Sequence, residues 1–134
     1  LRKIEAVIWT FVSRWVPLIS LVFGMVSLGG CQKSPEVPGP DALRWAESAR
    51  PRSALLAQKY ERSCQSCHSS RASTAPLVAF APDWQARLQQ GMPALVNHAR
   101  DGFKGMPARG YCNDCSDQEL EALIAFMSTP LTQE

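Results

Sequence analysis

The sequence predicts a small all-α domain behind a leader, and three observations carry that prediction. No stretch alternates apolar and polar residues for more than a few positions, so no strand is indicated. Two segments, starting at Ser53 and Ser116, pair a helix-capping residue with apolar residues at helical spacing. Prolines and glycines divide the remainder into short pieces without an internal repeat. At 134 residues the chain has room for one domain and its appendages.

Residues 1–30 read as a signal peptide. Arg2 and Lys3 form a positive end, and Val16 to Leu28 is apolar apart from Pro17, Ser20, Gly24 and Ser27. That run has the length of a secretory core and falls short of the ~20 residues a spanning helix needs. It closes on Leu28-Gly29-Gly30-Cys31, which resembles a bacterial lipobox: the small residues admit a peptidase and the Cys31 thiol accepts lipid. The expectation is a periplasmic bacterial lipoprotein anchored to a membrane through Cys31. The leader holds three of the 14 basic residues and one of the 12 acidic ones, which leaves 11 of each from Cys31 onward. A mature chain so close to neutral gives no reason to expect a nucleic-acid partner.

Residues 31–52 read as a tether. Three prolines between positions 35 and 40 cannot sustain a helix, although residues 42–50 can form a turn or two before Pro51. The compact domain is expected over 53–134. Ser53 caps a helix on which Leu56, Tyr60 and Ser63 share one face, and that helix runs straight into Cys64-Gln65-Ser66-Cys67-His68.

This C-x-x-C-H run carries the most chemistry in the chain. Two thiols at that spacing can add to the two vinyl groups of one haem, and the histidine after them can ligate its iron. The rival readings are a redox pair and half of a zinc site, to both of which His68 would be incidental. One covalently attached haem c is the expected cofactor. It would also supply apolar contacts that a domain of this size lacks, from Leu56, Tyr60, Leu77, Phe80, Trp84, Leu95 and Phe126.

Residues 69–83 contain Pro76 and Pro82 and read as an irregular loop, followed by a short helix from Trp84 to Gln90 that Gly91 stops. Trp84 reads as a core tryptophan, its rival role being donation of the indole N–H to a haem propionate. Pro93 opens the next helix, which ends before Gly102. A haem that only transfers electrons needs a second strong axial ligand, and Met92, Met106, Met127 and His98 are the candidates. Met127 lies on the apolar stripe of the last helix, His98 reads as solvent-facing or core, and Met92 abuts a helix start. Met106, in a Gly-Met-Pro stretch 38 residues after His68, can leave the helix and present its thioether. Met92 and Phe103 are candidates for the surface that meets partners, with loop packing the plainer role.

Cys112-Asn113-Asp114-Cys115 admits three readings: a short disulfide, a thioredoxin-like redox pair, or, with Cys64 and Cys67, a zinc-binding C-x2-C…C-x2-C module. The last helix is well marked. Ser116 and Glu119 make a capping box, and Leu120, Leu123, Ile124 and Met127 form an apolar stripe that Phe126 widens.

Taken together, Cys-Gln-Ser-Cys-His at 64–68, Gly-Met-Pro-Ala-Leu-Val at 91–96, Gly-Phe-Lys-Gly-Met-Pro-Ala-Arg-Gly at 102–110 and Cys-Asn-Asp-Cys-Ser-Asp at 112–117 resemble the class IE c-type cytochromes, the cytochrome c-five group. The similarity covers roughly residues 53–128. It implies the class I cytochrome c fold, iron held by His68 and Met106, a Cys112–Cys115 disulfide, and a Pro76 carbonyl that accepts a hydrogen bond from His68 Nδ1. The function so implied is one-electron transfer between a respiratory donor and acceptor, with no catalytic residue and no small-molecule substrate. The alternative is a haem sensor or peroxidase-like enzyme, which would keep the sixth iron position open.

Overall fold

The computed structural model describes residues 36–131, so the expected leader, the lipobox and Cys31 lie outside the described residues. Six α-helices are described: α1 Pro40–Ser48, α2 Ala54–Arg62, α3 Gln65–His68, α4 Ala81–Leu88, α5 Met92–Asp101 and α6 Asp117–Ser128. A tight 3₁₀ turn, Ala108–Tyr111, stands between α5 and α6. Among the described residues the only β-type pairing is an isolated bridge between Phe103 and Met106, and no helix is long and apolar enough to cross a membrane.

Each helix begins where its sequence supplies a reason. The Ser53 hydroxyl accepts from the Leu56 N–H, one of the donors that a first turn leaves unpaired. Pro40, Pro82 and Pro93 stand in the first turns of α1, α4 and α5, where their missing N–H costs nothing. Ser116 and Glu119 form the reciprocal capping box at the start of α6. Helix α4 starts at Ala81, three residues before the expected Trp84, because Pro82 belongs to its first turn rather than to the preceding loop.

Helix α6 organises the core. It packs against α2, α4 and α5, and α2 also touches α3. Leu120, Leu123, Ile124 and Met127 are buried, each contributing on the order of 1.5–3 kcal/mol of apolar burial. Tyr60 of α2 meets Phe126 of α6 edge to face, with centroids 5.2 Å apart. Beside this apolar contact lies a polar one. The half-exposed Glu119 carboxylate pairs with the buried Lys59 ammonium at 2.6 Å, and Arg62 grips Asp114 through both carboxylate oxygens at 2.5 and 2.6 Å. These pairs join α2 to the start of α6 and to the turn before it.

The stretch expected as a tether, 31–52, is divided by the structure. Residues 40–48 are helical, and Ala46 and Ala49 are buried in the core cluster. Arg50 explains why this segment folds back: its guanidinium donates to the carbonyls of Glu47 and Ala49, pairs with Glu61 at 2.6 Å and lies over the Tyr60 ring. The Gln65 amide adds a bond to the Glu47 carbonyl, which ties α1 to the C-x-x-C-H helix.

Candidate functional site

A cavity lies where α2 ends, α3 begins and the 102–111 loop passes. Its wall contains Cys64, Cys67, His68 and Met106 together with Trp84, Leu95, Ala99, Ile124 and Met127. The structure thus brings together the expected attachment cysteines, the histidine and the favoured methionine. It leaves Met92 out: that side chain is half-buried against the core and does not line the cavity.

Helix α3 is a single turn, and the Cys67 and His68 N–H groups both bond back to the Cys64 carbonyl. This turn sets both cysteines and the histidine in the wall of the same cavity. Both thiols are unpaired; Cys64 is buried and Cys67 exposed. Burial pushes the Cys64 thiol above its ordinary pKa, and a contact with the Ser63 hydroxyl opposes that shift.

His68 is held on two sides. The Pro76 carbonyl lies 2.8 Å from Nδ1, and because a carbonyl can only accept, the proton is on Nδ1 and the lone pair on Nε2. The His68 main-chain oxygen accepts from the Val78 N–H at 3.0 Å. Burial holds the imidazole below its usual pKa; the Pro76 bond works against this and the charge of Arg87 works with it. A neutral imidazole with a free Nε2 is the form that binds metal.

Met106 sits in a tight loop. The N–H of each of Phe103 and Met106 donates to the carbonyl of the other, at 3.0 and 2.9 Å. The backbone takes positive φ at Gly102, Lys104, Arg109, Gly110 and Tyr111, conformations that cost a side-chain-bearing residue of order 1 kcal/mol or more. At Gly110 the φ is +53°, and a Cβ there would stand 3.1 Å from Met106 Cε, so a side chain at this position would push on the methionine. His98 stacks on Phe103 with centroids 4.0 Å apart and also lines the cavity. The Phe103 ring is exposed.

This donor set fits a covalent haem. Two free thiols, a neutral imidazole with its lone pair available and a thioether share a wall that is otherwise largely apolar. The zinc alternative fails here, since Cys112 and Cys115 are joined as a disulfide. Among the described residues no cluster of three or more His, Cys, Asp or Glu side chains could hold a metal ion.

One expectation needs correction, and two rival roles are excluded. Of the seven side chains expected around the haem, only Trp84 and Leu95 line the cavity; Leu56, Tyr60, Leu77, Phe80 and Phe126 pack elsewhere in the core. The Trp84 indole N–H is already spent, donating to the Leu77 carbonyl at 2.7 Å, so it does not serve a propionate. Met92, offered as partner-facing, is a core contact. Several cavity residues were not anticipated, Arg87 and Tyr111 among them. Arg87 lies one turn after Trp84 on α4, and Tyr111, 71% exposed, stands beside the first disulfide cysteine. The arginine spacing was visible in the sequence, whereas the exposure of Tyr111 depends on its positive φ, which no composition signals.

Comparison with known proteins gives a consistent result. Residues 52–127 match the family model described as cytochrome c oxidase, cbb3-type, subunit III. A cytochrome c5 of Azotobacter vinelandii is 37% identical over 67 residues, which is 48% of this chain and 81% of the relative. A cytochrome c-555 of Prosthecochloris aestuarii is 30% identical over 76 residues, 51% of this chain and 77% of the relative. A cytochrome c-555 of Chlorobaculum tepidum is 35% identical over 72 residues, 51% of this chain and 67% of the relative.

Proposed function

The chain belongs to the class I c-type cytochromes, haem-based electron carriers with covalently bound haem c, and on that premise we propose how its own residues do the work. Cys64 and Cys67 would hold the haem covalently, and His68 and Met106 would bind its iron. The observation that carries this is the convergence of the free thiols, the Pro76-bound imidazole and the thioether in one cavity wall. The bound haem supplies an iron that takes up and releases one electron.

The residues do the rest. Pro76 fixes the His68 ring and leaves Nε2 as the donor atom, which raises its basicity as a ligand. The Met106 thioether, as the second iron ligand, would favour the ferrous state and raise the potential. Apolar side chains such as Leu95, Ile124 and Met127 exclude water, and a dry surrounding strengthens each of these electrostatic effects. We place the protein in the periplasm, between a respiratory donor and acceptor. The Cys112–Cys115 disulfide supports an oxidising compartment. Anchorage through lipid on Cys31, with 1–30 as a cleaved signal and the haem domain following the 31–52 segment, rests on the Leu28–Cys31 sequence.

Mass spectrometry of the purified protein tests the attachment. Beyond any lipid on Cys31, the polypeptide should exceed the bare mature chain by one haem that acidified organic solvent cannot extract, and Cys64→Ser with Cys67→Ser should abolish that haem increment. A mass equal to the bare chain would end this reading. Pigment that needs detergent to leave the membrane fraction, and stays soluble after Cys31→Ser, would establish the anchor.

A further inference from the structure

We infer that the ring of His98 positions the Met106 thioether, acting through Phe103. The inference deepens the reading of Met106 as the second iron ligand and rests on it.

The loop that carries Met106 needs an anchor at its near end. Phe103 and Met106 exchange two backbone hydrogen bonds across Lys104 and Gly105, so the pair moves as one unit. Such a unit is only as fixed as its contacts to the rest of the molecule. On the Gly105 side there is nothing to lean on, since a Cβ there would meet no atom within 4 Å. The Phe103 ring is 42% exposed and stands outside the core cluster. The Lys104 ammonium over that ring belongs to the same turn and cannot anchor it. The disulfide fixes the far end, beyond the 3₁₀ turn.

His98 is the contact that can hold the near end. Its ring lies on Phe103 with the two planes 16° apart and the centroids at 4.0 Å. It belongs to α5, where Leu95 and Ala99 are buried in the core, and α5 packs on α6. The stack therefore passes the rigidity of the helix pair to the Phe103 ring, and the two backbone bonds pass it on to Met106. Among the described residues the His98 imidazole makes no hydrogen bond, so its flat face, rather than a ring nitrogen, does the holding. Stacked aromatic pairs of this kind add stability beyond the area they bury.

The test is the rate at which cyanide replaces the thioether in the ferric holoprotein at fixed pH. The thioether must leave the iron before cyanide binds, so the rate climbs with cyanide concentration to a plateau set by loop opening; a change in access to the cavity moves the half-saturation point instead. Loss of the stack in His98→Ala or in Phe103→Ala should raise the plateau roughly three- to tenfold. The double variant should go no further than the single ones. His98→Phe keeps a flat ring and should return the plateau to within about twofold of the parent. A plateau unmoved in His98→Ala, or two effects that multiply in the double variant, would overturn the inference. If His98→Ala fails to mature, Phe103→Ala at its exposed position decides alone, an unmoved plateau being the contrary result. A parent that lacks the absorption band of the methionine ligand and reacts with cyanide without any plateau would overturn the ligand reading and this inference with it. With the band present, an unmoved plateau overturns the inference alone, which separates the two failures.

Discussion

The two segments that carry the proposed iron ligands are built on different principles. His68 is buried in a helical turn, with its ring fixed by Pro76 and its carbonyl by Val78. Met106 is half-buried in a loop where Lys104, Arg109 and Tyr111 adopt positive φ and a disulfide closes the far end. Regular hydrogen bonding and burial hold the first; two cross-loop hydrogen bonds, glycines and a covalent clip hold the second. The lesson is a division of labour. The proposed attachment depends on the element that local sequence specifies most tightly, while the proposed second ligand lies in a segment that can vary without unmaking the core.

The largest effect should come from Met106→Ala, which removes the thioether and leaves the His68 segment intact. The ferrous protein should change from excluding carbon monoxide to binding it rapidly and completely, and the midpoint potential should fall. Stopped-flow spectroscopy reads the first and a redox titration the second. Rapid binding by the unmodified protein would favour the sensor or enzyme reading, and a spectrum unchanged by the substitution would move the ligand to His98, which shares the cavity wall.

A smaller effect is expected from Cys112→Ser with Cys115→Ser. Closing so short a loop stabilises by about 2 kcal/mol in the chain-entropy account, so guanidinium unfolding of the holoprotein should show a loss of that order. The comparison sharpens if the absorption band of the methionine ligand weakens before global unfolding while the His68 side persists. Simultaneous loss of both would show that the two segments form a single cooperative unit.

The smallest effect concerns acid. Glu119 is held below its ordinary pKa of 4.5, first by the Lys59 ammonium and then by the Ser116 N–H. Asp114 is held below 3.8, chiefly by Arg62. Depressed folded values mean that these pairs stabilise fully above the ordinary carboxylate range and lose that contribution as pH falls through the folded values. Melting temperature should therefore decline below about pH 4.5, and Lys59→Met should flatten the upper part of that decline. An equal slope in the variant would exclude the Lys59–Glu119 pair as its source.

Most of this architecture was readable in the residues. The Ser53 and Ser116 caps, the proline at the start of α5 and the apolar stripe of α6 are local signals, and each helix formed where its signal stood. The cavity's chemistry was readable for the same reason, since Cys64, Cys67 and His68 are neighbours in the chain. What escaped depends on partners distant in sequence. Helix α1 folds back because Arg50 finds Glu61 and Tyr60. The Trp84 N–H is spent because Leu77 turns its carbonyl toward it. Among the described residues Arg87 pairs with no carboxylate, because Asp83, one turn before it, is held by Arg71.

One pair of backbone bonds links the histidine's surroundings to the end of the chain. The Ala79 N–H donates to the Met127 carbonyl at 2.8 Å, and the Leu131 N–H donates to the Ala79 carbonyl at 3.4 Å. Ala79 is three residues past Pro76, so the loop that orients the imidazole is latched by the end of α6 and the residue three positions after it. Timing follows from this. Thioether formation needs only a short stretch of chain, whereas the environment that gives the iron its working potential can assemble only after the C-terminal helix has docked. An immature polypeptide could thus be coloured well before it is an effective redox carrier.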